Sequence, residues 1–166
     1  MIQRPAYRVF SGPTKKLNQM TPNDKARELG VCFEPQPAGY LNMCVRTGNL
    51  LITSGHVSDM KGVLGGGLTV EQGYTAAQEC CRKILRSVFN AHGTLNDLKV
   101  LKVLGCVYSA PTFVEQHLVI NGCSDMLHQI FGREGAGFHA RSALGFAALP
   151  TGAAVEVEAI FEVGAG

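Results

Sequence analysis

The apolar positions of this chain recur with two periods, and the change from one to the other divides it into helices and strands. Tyr74, Ala77, Cys81, Ile84, Leu85 and Val88 return every three or four places, which lays one apolar stripe along a helix. Thr69-x-x-Gln72 stands ahead of the stripe, a spacing at which hydroxyl and amide cap each other's backbone N–H, and Gly93 stands behind it. A second stripe, Ile120, Cys123, Leu127, Ile130 and Phe131, follows Thr112-x-x-Glu115 and stops at Gly132. A short helix is predicted over 22–29, opened by Thr21 and Pro22 and closed by Gly30.

Elsewhere the period is two. In GYLNMCVR, Tyr40, Asn42, Cys44 and Arg46 alternate with Leu41, Met43 and Val45, and TGN separates this run from LLITSG, which reads as a hairpin. LKVLGCVY (101–108) predicts a third strand, and RSALGFAAL and VEVEAIFEV predict two more. In the last, Val155, Val157, Ala159, Phe161 and Val163 alternate with Glu156, Glu158, Ile160 and Glu162, so one side is buried. The order strand, strand, helix, strand, helix, strand, strand predicts an α+β fold, a mixed β-sheet with two long helices packed on one face. The other face then has no cover within the chain, and a closed symmetric assembly is the expected remedy.

Composition narrows the possibilities. At 166 residues, 46% apolar and 17% charged, the chain can bury a core of its own. It divides into an N-terminal extension with a short helix, 1–30, and a single domain, 31–166. The formal charge is +2, no run of five or six like charges occurs and tryptophan is absent, which argues against a nucleic-acid partner. The six cysteines show no C-x-x-C spacing and read as reduced core thiols, with the adjacent Cys80 and Cys81 pointing to different faces of their helix. The five histidines show no H-E-x-x-H. No metal and no cofactor is expected. No apolar stretch approaches the roughly 20 residues of a membrane span. Arg4, Arg8, Lys15 and Lys16 precede the first acid, Asp24, the charge bias of a mitochondrial presequence. Pro5 and Pro13 interrupt any amphipathic helix there, so a disordered tail on a cytoplasmic protein is the expectation.

Three stretches, RTGNLLITSGHV, FVEQHLVINGCSDMLHQIFG and HARSALGFAALPTGAAVEVEAI, resemble the RidA (YjgF) family of enamine/imine deaminases, in the same element order over residues 38 to 163. The resemblance implies a chorismate-mutase-like fold and a homotrimer with sites in the clefts between subunits. It also implies cofactor-independent hydrolysis of 2-enamino or 2-imino acids, such as 2-aminoacrylate, to 2-oxo acids and ammonia. Carried over by position, Arg141 grips the substrate carboxylate with its planar fork. Glu156 positions or activates water, Tyr40 lines the cleft, Gly55 brings backbone close to the ligand, and Asn121 sits at the rim. Ala143 stands where many members have cysteine, so a thiol mechanism does not transfer and backbone groups would serve there. His139 replaces a proline or alanine, and His56 a glutamine. The extra N-terminal residues and the KGVLGGGLTV loop point to a longer subgroup.

Each position also has a plainer reading. Arg141 can pair with Glu156 or Glu158 across adjacent strands, for under about 1 kcal/mol. Tyr40 reads as a half-buried strand tyrosine, Asn121-Gly122 as a weak point in a helix, and His56 and His139 as structural or solvent-facing. Two other functions stay open, a non-catalytic trimer that binds a small carboxylate and an endoribonuclease, the label of some relatives. With no metal-ligand spacing, EDTA should leave turnover unchanged; loss of activity restored by zinc would contradict this.

Overall fold

The computed structural model describes residues 20–164, so the expectations for the N-terminal tail lie outside the described residues. Threonines and glycines set the helix ends. In α2 (Val70–His92) Thr69 Oγ1 accepts from Gln72 N, Gln72 Oε1 accepts from Thr69 N at 2.9 Å, and Gly93 closes the helix in the left-handed conformation, φ 91°. In α1 (Pro22–Glu28) Thr21 forms the same reciprocal box with Asp24. The short helix does not stand apart. Ala26 and Val31 enter the domain's core, and Asn23 Oδ1 accepts from Leu95 N.

The third helix departs from expectation at its start. α3 runs Gln116–Phe131 from Glu115, which makes no side-chain cap, and the Thr112 to Glu115 box does not form. The backbone turns there instead, Phe113 N donating to Ala110 O, and Gln116 Nε2 reaches back to Phe113 O at 2.7 Å. Its end at Gly132 is as predicted, and a wide π-type turn, Gly132–Ala136, follows.

The strands are β1 (Cys44–Thr47), β2 (Leu50–Thr53), β3 (His56–Val57), β4 (Leu98–Tyr108), β5 (Ala140–Phe146) and β6 (Val155–Val163). They form one sheet in the order β1-β2-β6-β4-β5, with β3 also against β6. β4 and β5 run parallel and every other pair is antiparallel. The hairpin, the terminal strand and the mixed α+β sheet match the sequence pattern. β1 is shorter than the alternation suggested, which leaves Tyr40 outside any strand and fully exposed rather than half-buried.

Both long helices lie on one face, over Val155, Val157, Ala159 and Phe161 of β6 and Val103 and Val107 of β4. They approach closely because two glycines allow it. A Cβ on Gly122 would strike the Tyr74 carbonyl of α2, and one on Gly105 of β4 would strike Ile120 of α3. Gly122 is therefore an approach point and not a kink, and α3 continues through it. Cys80 and Cys81 are both buried core thiols, as expected, since α2 is flanked by the sheet beneath and α3 beside it: Cys80 meets Val155 of β6 and Cys81 lies beside Cys123 of α3.

His56 is buried and structural: Nδ1 meets Ser54 O at 2.8 Å and Nε2 meets Ser87 Oγ at 2.8 Å. Burial first, then the charge of Lys83, pushes its pKa below the ordinary 6.5, against the Ser54 hydrogen bond, which raises it. The folded imidazole therefore stays neutral where the unfolded one gains a proton, so stability is full above about pH 6.5 and is lost as the pH falls below it. Urea midpoints between pH 7.5 and 5 should decline, and the decline should be shallower in His56→Gln.

Candidate functional site

Beside its apolar stripe α3 carries a polar one, Asn121, Ser124, Asp125 and His128, spaced so that all four share a face. β5 is the edge strand beside it. The parallel register sets Arg141 opposite Val103 and Ala143 opposite Gly105, which turns both toward the helices. The Arg141 guanidinium then lies against α3: Nη1 donates to Asn121 Oδ1 at 2.9 Å and to Ser124 Oγ at 3.1 Å, and Nη2 to His117 O at 3.3 Å. A guanidinium has five N–H donors. Two are thus unengaged, and Arg141 has no carboxylate partner among the described residues.

His139 completes the mount. Its Nδ1 lies 2.6 Å from Gly137 O, and a carbonyl can only accept, so the proton sits on Nδ1. Nε2 then accepts from Ser124 Oγ at 3.0 Å, which leaves the lone pairs of that hydroxyl for Arg141. Burial, followed by the charges of His128 and Arg141, holds the imidazole below its ordinary pKa and keeps it neutral, against the Gly137 hydrogen bond. Arg141, Asn121, Ser124 and His139 line a cavity of about 320 Å³.

Glu156 belongs to the other face. In register it stands opposite Cys106, which stands opposite Leu144, and all three point away from the helices. Its Oε1 lies against Gly55, where any Cβ would collide with it, so Gly55 makes room for this carboxylate. Burial, and then the negative charge of Glu158, raise the Glu156 pKa above the ordinary 4.5. Around it the open face exposes the apolar Val45, Ile52, Leu144 and Phe146, beside the charged Glu158 and Lys102.

The structure thus assembles Arg141 with Asn121, and Glu156 with Gly55, on opposite faces of one sheet. Tyr40 joins neither group, and Ala143 shares the Arg141 face, half-buried against the core. The plain ion-pair reading of Arg141 fails for a topological reason: β4 separates β5 from β6, so neither Glu156 nor Glu158 is a cross-strand neighbour. Ser124, Asp125, His128 and Arg133 were not singled out from the sequence. The helical spacing of the first three was the available signal, and Arg133 had none.

A family model described as endoribonuclease L-PSP matches residues 33–163. The chain belongs to this family, that of YjgF and RidA. Over 105 residues it is 46% identical to protein TCP17 of Trypanosoma cruzi, a match covering 63% of this chain and 65%, less than two thirds, of that relative. The L-PSP/RidA fold recurs in the crystal structure of Atu1372 from Agrobacterium tumefaciens, a protein of unknown function. That protein is 37% identical, with a TM-score of 0.76 over 86% of this chain and 93% of the other. The YjgF gene product of E. coli shares the fold at 24% identity and a TM-score of 0.52, over 79% of this chain and 93% of that one. Among L-PSP/RidA members this chain therefore follows Atu1372 more closely than YjgF. The half-buried carboxylate gives a direct check. Carboxyl NMR should place the Glu156 midpoint above 4.5 and Glu158→Gln should lower it; a midpoint at or below 4.5 would show that the carboxyl is not buried against Gly55.

Proposed function

We propose that this L-PSP/RidA-family protein hydrolyses small 2-enamino and 2-imino acids to 2-oxo acids and ammonia, in a homotrimer whose sites are each shared by two subunits. The observation that carries the reading is Arg141, a cation fixed by α3 with donors to spare and no carboxylate to spend them on. A planar fork held in this way suits an acid's carboxylate.

The rest follows from reaction chemistry. With the carboxylate held, an enamine takes a proton from solvent on its β-carbon and becomes an iminium. Water adds to C2, and the adduct collapses to the 2-oxo acid as the C–N bond breaks and its hydroxyl proton returns to solvent. Glu156, with its pKa raised above the ordinary 4.5 by burial and by Glu158, takes the proton of the attacking water and returns it to the departing nitrogen. No cofactor enters, since holding the acid and orienting one water supply the catalysis. Ala143 contributes no thiol, and the exposed Tyr40 is free to close the site of a neighbour.

Arg141 and Glu156 cannot reach one substrate from opposite faces of the same sheet. In the proposed trimer the apolar open face is covered by the next subunit, which brings its Arg141 cavity beside this chain's Glu156. A trimer that only binds the carboxylate would use the same arginine and release no ammonia.

Ammonia release from 2-aminoacrylate, generated in situ by a serine dehydratase, tests the assignment. Arg141→Ala should lose about 2–5 kcal/mol of binding, roughly 30-fold to over 1,000-fold in rate, while light scattering still shows the trimer. Arg141→Lys should rescue poorly for want of the planar fork. Glu156→Gln should slow turnover yet still bind a stable 2-oxo acid. Wild-type turnover should rise with pH through the elevated Glu156 pKa, because the carboxylate is the active form. Trimers assembled from a mixture of Arg141→Ala and Glu156→Gln chains should regain activity, since one interface in the mixture carries both intact groups. Full activity of Arg141→Ala would overturn the site, and mixtures no better than their parents would overturn the sharing.

A further inference from the structure

The Arg141 cavity is longer than one carboxylate needs. Past Ser124 the polar face of α3 continues for another turn to His128, whose ring lies 5.3 Å from that of His139 and whose side chain makes no hydrogen bond among the described residues. Beyond it stands Arg133. The wide turn Gly132–Ala136 places it there: Gly132 takes φ 87°, and a Cβ on Gly137 would come within 2.7 Å of Gly132 O, so the chain folds back tightly over the end of α3. Arg133 lines the cavity and makes no ion pair or hydrogen bond among the described residues.

The charges at this end do not cancel. Asp125 is the one carboxylate in the lining, and it accepts from Tyr74 Oη at 3.1 Å. Against it stand two guanidinium groups, Arg141 held by α3 and the exposed Arg133, with the His128 imidazole between them. A substrate with a single carboxylate uses Arg141 and leaves Arg133 and His128 facing empty space.

We propose that this cavity takes 2-imino acids bearing a second acidic group, with the 1-carboxylate on Arg141 and the second anion on Arg133 and His128. One helix turn, about 5.4 Å, separates Ser124, which touches Arg141, from His128. That step suits the four- or five-carbon acids in which two carboxylates sit at the ends of a short chain. The inference rests on the proposed role of Arg141 and names the substrate class of that site.

Two stable 2-oxo acids of equal chain length, 2-oxoglutarate and 2-oxopentanoate, separate the two readings by titration calorimetry on the full chain. Wild type should bind 2-oxoglutarate about five- to tenfold more tightly, an ion pair of about 1 kcal/mol or slightly more in a half-open cavity. Arg133→Gln and His128→Gln should each bring that ratio toward one, and added salt should do the same. Arg141→Ala should lose both ligands. Equal wild-type affinities, or a ratio that Arg133→Gln leaves intact, would overturn the dianion reading alone, provided Arg141→Ala still abolishes binding. Undiminished binding of both acids by Arg141→Ala would overturn the role of Arg141 and this inference with it.

Discussion

The parallel pairing of β5 with β4 decides where every group around Arg141 stands. β5 is an edge strand with one neighbour, and its register on β4 determines which of its residues look up at α3 and which look out from the open face. A slip by one residue would exchange the two sets. Arg141 would then face outward without Asn121, Ser124 or His117 to hold it, and Leu144 would be driven under the helix. The register is held because β4 is central and carries buried Val103 and Val107 on the helix side. The apolar core and the orientation of the cation are one constraint.

The approach of the helices is the second condition. Asn121 and Ser124 reach the guanidinium only because α3 lies low on the sheet and close to α2. Both distances depend on glycines with no room for a side chain, Gly105 beneath Ile120 and Gly122 against Tyr74. Gly122 sits between the two polar residues it serves. Its missing side chain brings α2 near, while Asn121 and Ser124 turn toward the cavity.

On the proposed reading a single subunit carries two half-sites back to back. The helix face offers a fixed cation in a polar cavity, and the open face offers a carboxylate of raised pKa among exposed apolar side chains. Each half lacks what the other has. In the proposed trimer the burial of the exposed apolar side chains and the completion of the site are the same event, so loss of assembly would abolish activity.

The sequence by itself determined the local structure, because local structure depends on neighbours in the chain. Thr69, Gln72 and Gly93 set the ends of α2, and the alternation from Val155 to Val163 set the faces of β6, without reference to anything distant. The likeness to RidA proteins also lay in contiguous motifs, so the family and the mixed α+β sheet were legible there, and Arg141 stood out as a candidate. Tertiary structure decided the rest. The Thr112 to Glu115 box lost to a turn that Gln116 holds from three residues away. Only strand order shows that β4 lies between Arg141 and Glu156, and only the packing of α2 between sheet and α3 buries both Cys80 and Cys81. The polar stripe of α3 was visible as spacing, but its meaning depends on β5 lying beside it and on Gly132 turning Arg133 back over the cavity. Capping and periodicity act over three or four residues, whereas a site is made by segments that meet only when the chain has folded.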